Sequence, residues 1–426
     1  MIDKIIEANE LRVAVISTPS RLTQSESSEF QNIDQRHLSD FANSLGVSLT
    51  VINSSSYEDL HAMLSSGEVQ IISGNIGAHL LSEEISYSPA YQNIDHVLIG
   101  RRQAQTYNAD GTIRPLVLTI PSQSIASGLL TQIDIPIHDT HEIRSASPYH
   151  LLGLVSSRKA DLTVINKSDY ELLRYSFPDT IIVRDLKDSS PISWALKQSY
   201  DDSLQTEVDQ FFNSYEFKQI DTRLSRPHLK EINYYDLRAF HSHYKHRLSL
   251  YIGAFKEAAR DYAMDWELLA AMSYQESKWD NDAVSFTGVE GLMMLTRDTV
   301  DYMSVNNPYD PIESIHGGAR YFDNLNTKIP ERISNPDRTW FIVAAYNLGF
   351  GHLEDARILT QVQGGNPDIW ADVESRLSLL ESVEWQDYTK NGLARGSEAI
   401  NYVSNVRRYY ELLKLISFNE LYASYN

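Results

Sequence analysis

The 426-residue chain has no cysteine, which excludes disulfides, thiolate metal sites and a cysteine nucleophile. It also has no run approaching the roughly 18 apolar residues of a membrane-spanning helix. The opening Met1-Ile-Asp-Lys-Ile-Ile-Glu7 reads as an amphipathic helix, not as a charged-then-apolar export signal. If the protein is exported or anchored, the segment responsible is expected outside this numbering. Basic residues are scarce, 37 against 57 acidic ones, for a net charge of −20. Both halves share the deficit, −12 over residues 1–225 and −8 over the remainder. A surface this acidic argues against nucleic acid and against tight adsorption to anionic lipid. Phosphate-cradling glycine loops are missing too, since Gly349-Phe-Gly351 follows a helical run and not a strand. The histidines His241, His243 and His246 do not share one helical face, and no carboxylate-rich motif joins them. Neither a metal nor a cofactor is expected.

What is present falls into two textures. From Glu10 to about Ser225, short β-branched runs alternate with amphipathic helical stretches. Leu11–Ile16, Val47–Ile52, Val69–Ile72, Val97–Ile99, Leu116–Ile120, Leu162–Ile165 and Thr180–Val183 read as strands, and residues 35–45 and 57–66 as helices. That order predicts an α/β domain with a mainly parallel sheet. After about Arg226 strand-like runs vanish. Helical periodicity covers 234–262, 265–277, 294–303, 311–327, 338–347, 351–362, 368–379 and 398–415. Asp265 reads as an N-cap, and Asp310-Pro311 pairs a cap with proline at the first helical position. The expected boundaries are 1–225 for the α/β part, 226–240 for a linker that includes Pro227, and 241–426 for the helical part.

Three segments of the helical part carry the chemistry. Ala271-Met-Ser-Tyr-Gln-Glu276-Ser277 ends an apolar helical run, and Gly288 and then Gly291-Leu292-Met293 follow it. Later come Ala344-Ala-Tyr346-Asn347-Leu-Gly349 and Glu398-Ala-Ile-Asn-Tyr402-Val403. A carboxylic acid held half out of water can keep its proton near neutral pH and hand it to a leaving oxygen. Taken singly the segments are ordinary. A Glu-Ser pair at a helix end is usually solvated surface, Ala-Tyr-Asn before a glycine is a common helix end, and buried methionines mostly fill cores. Together, in this order and in a helical context, they resemble the lytic transglycosylases of bacterial cell walls. These are goose-lysozyme-like enzymes of glycoside hydrolase family 23, and the resemblance covers roughly residues 240–415. Gly291-Leu-Met-Met-Leu295 narrows it towards the membrane-bound lytic murein transglycosylase F branch.

Ordinary glycosidases flank the bond with two carboxylates. The resemblance implies that one glutamate serves both as acid and as base, cleaving the bond between N-acetylmuramic acid and N-acetylglucosamine to leave a 1,6-anhydro end. On that pattern Glu276 is the acid and base, and Ser277 hydrogen-bonds the substrate near the reacting sugar. Met293 lines the cleft, Tyr346 and Asn347 orient sugar and glutamate, and Tyr402 hydrogen-bonds the catalytic carboxyl. Asp280, Asp282 and Glu290 lie nearby in sequence, and none is clearly placed as a second acid. A hydrolytic muramidase on the same fold and a catalytically silent solute- or glycan-binding protein are the alternatives. The resemblance also implies peptidoglycan glycan strands as substrate and a periplasmic location at the outer membrane.

Residues 5–223 resemble family 3 periplasmic solute-binding proteins. The similar pieces are Glu7-Ala-Asn-Glu-Leu-Arg-Val-Ala-Val15, Leu64-Ser-Ser-Gly-Glu-Val69, Ile85-Ser-Tyr-Ser-Pro-Ala-Tyr91 and Arg158-Lys-Ala-Asp-Leu-Thr-Val-Ile-Asn166. Two lobes are implied, with the chain crossing near 100–106 and returning near 188–195, around a cleft that closes by hinge motion. The amino-acid-binding pattern clamps its ligand between an arginine and an aspartate. Here Leu81 and Asn166 stand at those places, so a free α-amino acid fits poorly. The expected ligand is a wall peptide or muropeptide that regulates the helical part, with Asn75 and Asn166 as cleft candidates. The expected fold is thus multi-domain, an α/β two-lobed periplasmic-binding-protein-like domain followed by an all-α, goose-type lysozyme-like domain.

Overall fold

A computed structural model describes residues 1–16, 22–24, 30–54, 57–73, 85–102, 116–121, 129–133, 135, 137–143, 146–186, 190–214, 232–285 and 288–425. Asn75, Leu81 and residues 226–231 of the expected linker lie outside them. The chain divides into two compact units, Met1–Ser225 together with Ile416–Asn426, and Arg226–Leu415.

The first unit holds two five-stranded sheets. In the first the order is Ser48–Ser54, Glu10–Ile16, Ile71–Ser73, Ala195–Lys197, Ile85–Tyr87. In the second it is Ile137–Ile143, Leu116–Pro121, Leu162–Asn166, His96–Arg101, Thr180–Asp185. The leading three strands of each sheet are parallel, with Leu11 beside Leu49 and Leu162 beside Leu118. In each sheet four strands run one way and one is reversed. Ala195–Lys197 and His96–Arg101 each run against both neighbours. In each sheet the reversed strand is the one at which the chain arrives from the other sheet. The two connections pair with each other, Gln92–Ile94 against Ser190–Ile192, which satisfies their backbone groups. The first crossing therefore lies before His96, earlier than the expected 100–106, because His96–Arg101 already belongs to the second sheet.

The central strands of both sheets are covered on both faces, as parallel strands demand. Leu11, Val13 and Val15 pack on Leu38, Phe41 and Trp194, while the intervening Ala14 packs on Leu60, Leu64 and Ile72. In the second sheet Leu98 joins Leu118 and Val164, and Val97 and Ile99 join Leu151 and Leu173. Alternate residues of one strand thus feed two separate cores.

Among the described residues the second unit is helical, apart from one isolated bridge between Val284 and Glu290. The stretch expected as one helix over 234–262 is broken into Tyr234–His246, a 3-10 turn Leu248–Leu250, and Ile252–Asp261. Asn233 caps the first piece through its Oδ1, which accepts from the Asp236 amide at 3.0 Å, so helix begins inside the expected linker. The break has a use. It turns Arg247 so that its guanidinium donates to the Lys278 carbonyl at 3.1 Å and pairs with Asp280 at 3.0 Å. The caps read from sequence are both present. Asp265 accepts from the Glu267 amide, and Asp310 accepts from the amides of Ile312 and Glu313. The last helix, Gly396–Tyr425, runs ten residues past the expected end at 415.

Candidate active site

Glu276 sits, half-buried, near the end of a helix that is otherwise almost wholly enclosed. Of the twelve residues in Trp266–Ser277, nine are buried, including Leu268–Tyr274 without interruption. Side chains without branching at Cβ (two alanines, two leucines, a methionine and a serine) let neighbours surround it closely. The helix stops because Lys278 and Trp279 both take left-handed backbone conformations, with φ of 57° and 56°. This double turn throws the Trp279 ring back under the helix, where it is buried and its indole N–H donates to the Ala270 carbonyl at 2.8 Å. The end of the glutamate helix is thereby tied to its own middle.

The glycine-punctuated turn comes next, and hydroxyls stitch it to the helix. Ser273 and Ser277 both donate to the Leu292 carbonyl, at 3.1 and 2.9 Å. The Met293 amide donates to Ser314 Oγ at 3.1 Å. Gly291 has φ of 95°, and a Cβ there would lie 2.3 Å from the Pro308 carbonyl oxygen, so only glycine fits. The Met293 side chain is fully buried against Gly318, whose missing Cβ makes room for it.

The other two segments converge here. The Tyr402 hydroxyl, 126 residues away in sequence, donates to Glu276 Oε1 at 2.7 Å. The Tyr346 hydroxyl donates to the Met293 carbonyl at 3.4 Å, with its ring 5.1 Å from that of Tyr321. The sequence candidates thus divide into two groups. Glu276, Tyr402, Tyr346 and the Met293 backbone come together. The Ser277 hydroxyl and the Met293 side chain, expected to meet substrate, are turned into the protein and hold the turn instead. Asn347 is exposed at the helix end before Gly349. In the first unit Asn166 is buried, and its Oδ1 caps the helix Lys167–Leu173 by accepting from the Ser168 amide at 2.8 Å.

Burial dominates the electrostatics. It pushes the Glu276 carboxyl up from its ordinary value to about 7, against the Tyr402 hydrogen bond and the positive charge of Lys278, which both pull it down. Tyr346 and Tyr402 are raised by burial and then by the neighbouring carboxyl, so both stay protonated donors. Because Tyr402 donates to Oε1, a neutral Glu276 carries its proton on Oε2. No second carboxylate stands among the groups that shift Glu276. Asp280 is instead engaged with Arg247.

One neighbour was invisible to motif reading. Lys278 Nζ lies 4.6 Å from the Tyr274 ring centre and 4.7 Å from that of Tyr409, and it donates to the Tyr409 hydroxyl at 3.3 Å. Burial lowers its pKa to about 8. Its place directly after Glu276-Ser277, four residues past Tyr274, was the available signal, while the second ring, Tyr409, comes from the C-terminal helix. Among the described residues no group of three histidine, aspartate or glutamate side chains could hold a metal ion. His243, from the histidine-rich helix, faces inward, its Nδ1 3.0 Å from the Tyr274 hydroxyl.

Comparison with known proteins gives concordant matches. Residues 253–368 match the model of the transglycosylase SLT domain. The chain is 37% identical over 419 residues to the membrane-bound lytic murein transglycosylase F of Alcanivorax borkumensis, covering 97% of this chain and 89% of the relative. It is 38% identical over 395 residues to the protein of that name from Alteromonas mediterranea, covering 90% and 85%. Among solved structures, a mutant form of the arginine-bound ArgBP of T. maritima aligns with 50% of this chain and 99% of its own at 15% identity, with a TM-score of 0.42. The cysteine-binding protein of Campylobacter jejuni aligns with 55% and 97% at 16% identity, also with a TM-score of 0.42.

Proposed function

Since the chain belongs to the membrane-bound lytic murein transglycosylase F family, we propose that it cuts peptidoglycan with Glu276 as its single acid and base. It is an enzyme of the lytic murein transglycosylase class, and glycan strands of the wall are its substrate. The observation that carries the site assignment is the Tyr402–Glu276 hydrogen bond of 2.7 Å at a carboxyl whose pKa burial raises to about 7. Such a group holds a proton over much of the neutral range and can also take one back.

In the proposed reaction the proton on Glu276 Oε2 passes to the glycosidic oxygen between N-acetylmuramic acid and N-acetylglucosamine as that bond breaks. The electron-poor C1 is then captured by the same sugar's C6 hydroxyl, whose proton returns to Glu276. One C–O bond breaks and one forms, no water enters, and the carboxyl is restored. Tyr402 steadies the carboxylate formed midway, and the Lys278 charge favours the same state. Tyr346 and the Met293 carbonyl form the neighbouring wall, and Asn347 at the open helix end orients the sugar. Ser277 acts through the Leu292 carbonyl, positioning the turn rather than touching substrate. The enzyme works in the periplasm at the outer membrane. Among the described residues no helix is long and apolar enough to cross a membrane.

For the first unit we propose a wall peptide or muropeptide ligand that regulates the cutting unit. Its two mixed sheets joined by a paired crossover ribbon suit hinge closure around a ligand. Muropeptide addition is expected to raise the melting temperature, and no shift at high concentration counts against the idea. The cutting reaction is tested by digesting purified peptidoglycan with the wild type and with Glu276→Gln, then weighing the muropeptides. Products one water lighter than hydrolysed ones, absent with the variant, support it. Equal turnover by the variant would remove Glu276 from the mechanism.

A further inference from the structure

The Glu276–Tyr402 contact joins the glutamate helix Trp266–Ser277 to the C-terminal helix Gly396–Tyr425, and the same two helices meet again at the other end. Asp265, the N-cap, uses Oδ1 to accept from the Glu267 amide at 3.2 Å. Its Oδ2 accepts from the Tyr410 hydroxyl at 2.6 Å and from Lys414 Nζ at 3.2 Å. Glu267 is buried beside it, and burial with the neighbouring Asp265 charge raises its pKa to about 8. At neutral pH Glu267 is therefore protonated and donates to Asp265, whose carboxylate is left with a full set of donors. Asp265 is half-buried, so solvent weakens the Lys414 pairing in part, and the 2.6 Å bond from the Tyr410 hydroxyl is the stronger half of the contact.

Asp265 and Glu276 stand eleven residues apart, about 16 Å along a helix. The C-terminal helix thus grips the glutamate helix near both of its ends. Between the grips Tyr409 packs on the Tyr274 ring at 4.6 Å and accepts from Lys278 Nζ at 3.3 Å, a bond from a long, pliant side chain just past the helix end. A helix held at one end and by a ring contact can still slide or tilt. Held at both ends, it cannot do so without breaking a charged hydrogen bond.

We propose that Tyr410 and Lys414 are positioning residues for the cutting step: by clasping Asp265 they fix the C-terminal helix on the glutamate helix and so keep the Tyr402 hydroxyl within bonding distance of Glu276. The clasp rests on the reading of Glu276 as the acid. It makes no contact with substrate, so its loss acts through the Tyr402 bond alone, where a displacement of about 1 Å costs up to a hundredfold in rate.

The test is a cycle of Tyr410→Phe, Lys414→Met and Lys414→Arg, each made in the wild type and in Tyr402→Phe, with Glu276→Gln alongside. Tyr410→Phe and Lys414→Met are expected to lower kcat about tenfold at unchanged KM. They should also move the alkaline fall of activity to higher pH, as Glu276 loses a bond that lowers its pKa. Lys414→Arg should restore most of the rate. In the Tyr402→Phe background the same changes should have no further effect on kcat, because their route is already gone. Urea unfolding of each variant identifies the folded fraction, to which rates are normalised. Wild-type kcat in a combined Tyr410→Phe, Lys414→Met variant overturns the clasp, and so does an undiminished tenfold loss in the Tyr402→Phe background. If Glu276→Gln cuts as fast as wild type, the reading of the acid fails and the clasp falls with it. If Glu276→Gln is inactive while Tyr410→Phe is unaffected, the clasp alone fails.

Discussion

Replacing Glu276 with glutamine is expected to stop turnover and also to stabilise the protein, by an amount that depends on pH. Burial lifts this carboxyl from an ordinary 4.5 to about 7 in the folded chain. At about 1.4 kcal/mol per pH unit, ionising it inside the fold costs about 3 kcal/mol more than ionising it in the unfolded chain. Near pH 4 it is protonated in both states, and the shift contributes nothing. Between 4.5 and 7 the folded chain holds a proton that the unfolded chain has released, so wild-type stability declines as pH rises. Above about 7 the full penalty stands. Glutamine keeps an oxygen for the Tyr402 hydroxyl but adds an amide N–H without a fixed acceptor, which costs about 1 kcal/mol. The variant should be no more stable than wild type near pH 4 and about 2 kcal/mol more stable above pH 7.5 or so. For a unit the size of Arg226–Leu415 this is a rise of roughly 4–8 °C in melting temperature. Calorimetric melts of both proteins across the range, with the transitions of the two units resolved, measure the gap. A gap that stays constant with pH, or that grows as pH falls, would refute a buried, proton-holding Glu276.

Other expectations follow from the same contacts. Tyr402→Phe removes a hydrogen bond that lowers the Glu276 pKa, so the fall in kcat/KM with rising pH should move above its wild-type position near 7 and the maximum should drop ten- to a hundredfold; a pH–rate profile reads both. Lys278→Met removes the positive charge and should move that fall in the same direction, with kcat lowered less than in Tyr402→Phe. Ser277→Ala leaves the Leu292 carbonyl still bonded by Ser273, so urea unfolding should show a loss of about 1 kcal/mol. Gly291→Ala puts a Cβ against the Pro308 carbonyl in a left-handed backbone, and should cost about 3 kcal/mol or more and most of the activity.

Much of this architecture was legible because it rests on local rules. Strands buried on both faces read as apolar runs, and those expected around Leu11, Leu116, Leu162 and Thr180 fall within a residue or two of the observed ones. Asp265 and Asp310-Pro311 announced their helices because a cap is chemistry between neighbours. The one reversed strand of each sheet was not legible, since its direction depends on where the chain crosses between sheets, and a few backbone bonds between Gln92–Ile94 and Ser190–Ile192 decide that. The break at Arg247 was hidden for a similar reason, because its partners Lys278 and Asp280 lie about thirty residues on. At the site, the family resemblance implied a bond between Tyr402 and Glu276, and the fold brings the two within 2.7 Å. The same resemblance could not tell a hydroxyl facing substrate from one facing a carbonyl, which is the difference between the expected and the observed Ser277. Of the two rings around Lys278, Tyr274 stands at helical i, i+4 spacing and was within reach, whereas Tyr409 on the C-terminal helix leaves no spacing signature.

Digesting peptidoglycan in water enriched in heavy oxygen, then weighing the new muramic ends, distinguishes cutting by one carboxyl without water from hydrolysis. Anhydro ends that carry no heavy oxygen, formed by wild type and not by Glu276→Gln, are expected. Ends that gain one heavy oxygen would contradict cutting without water, since water would then be the acceptor and a second group would have to activate it.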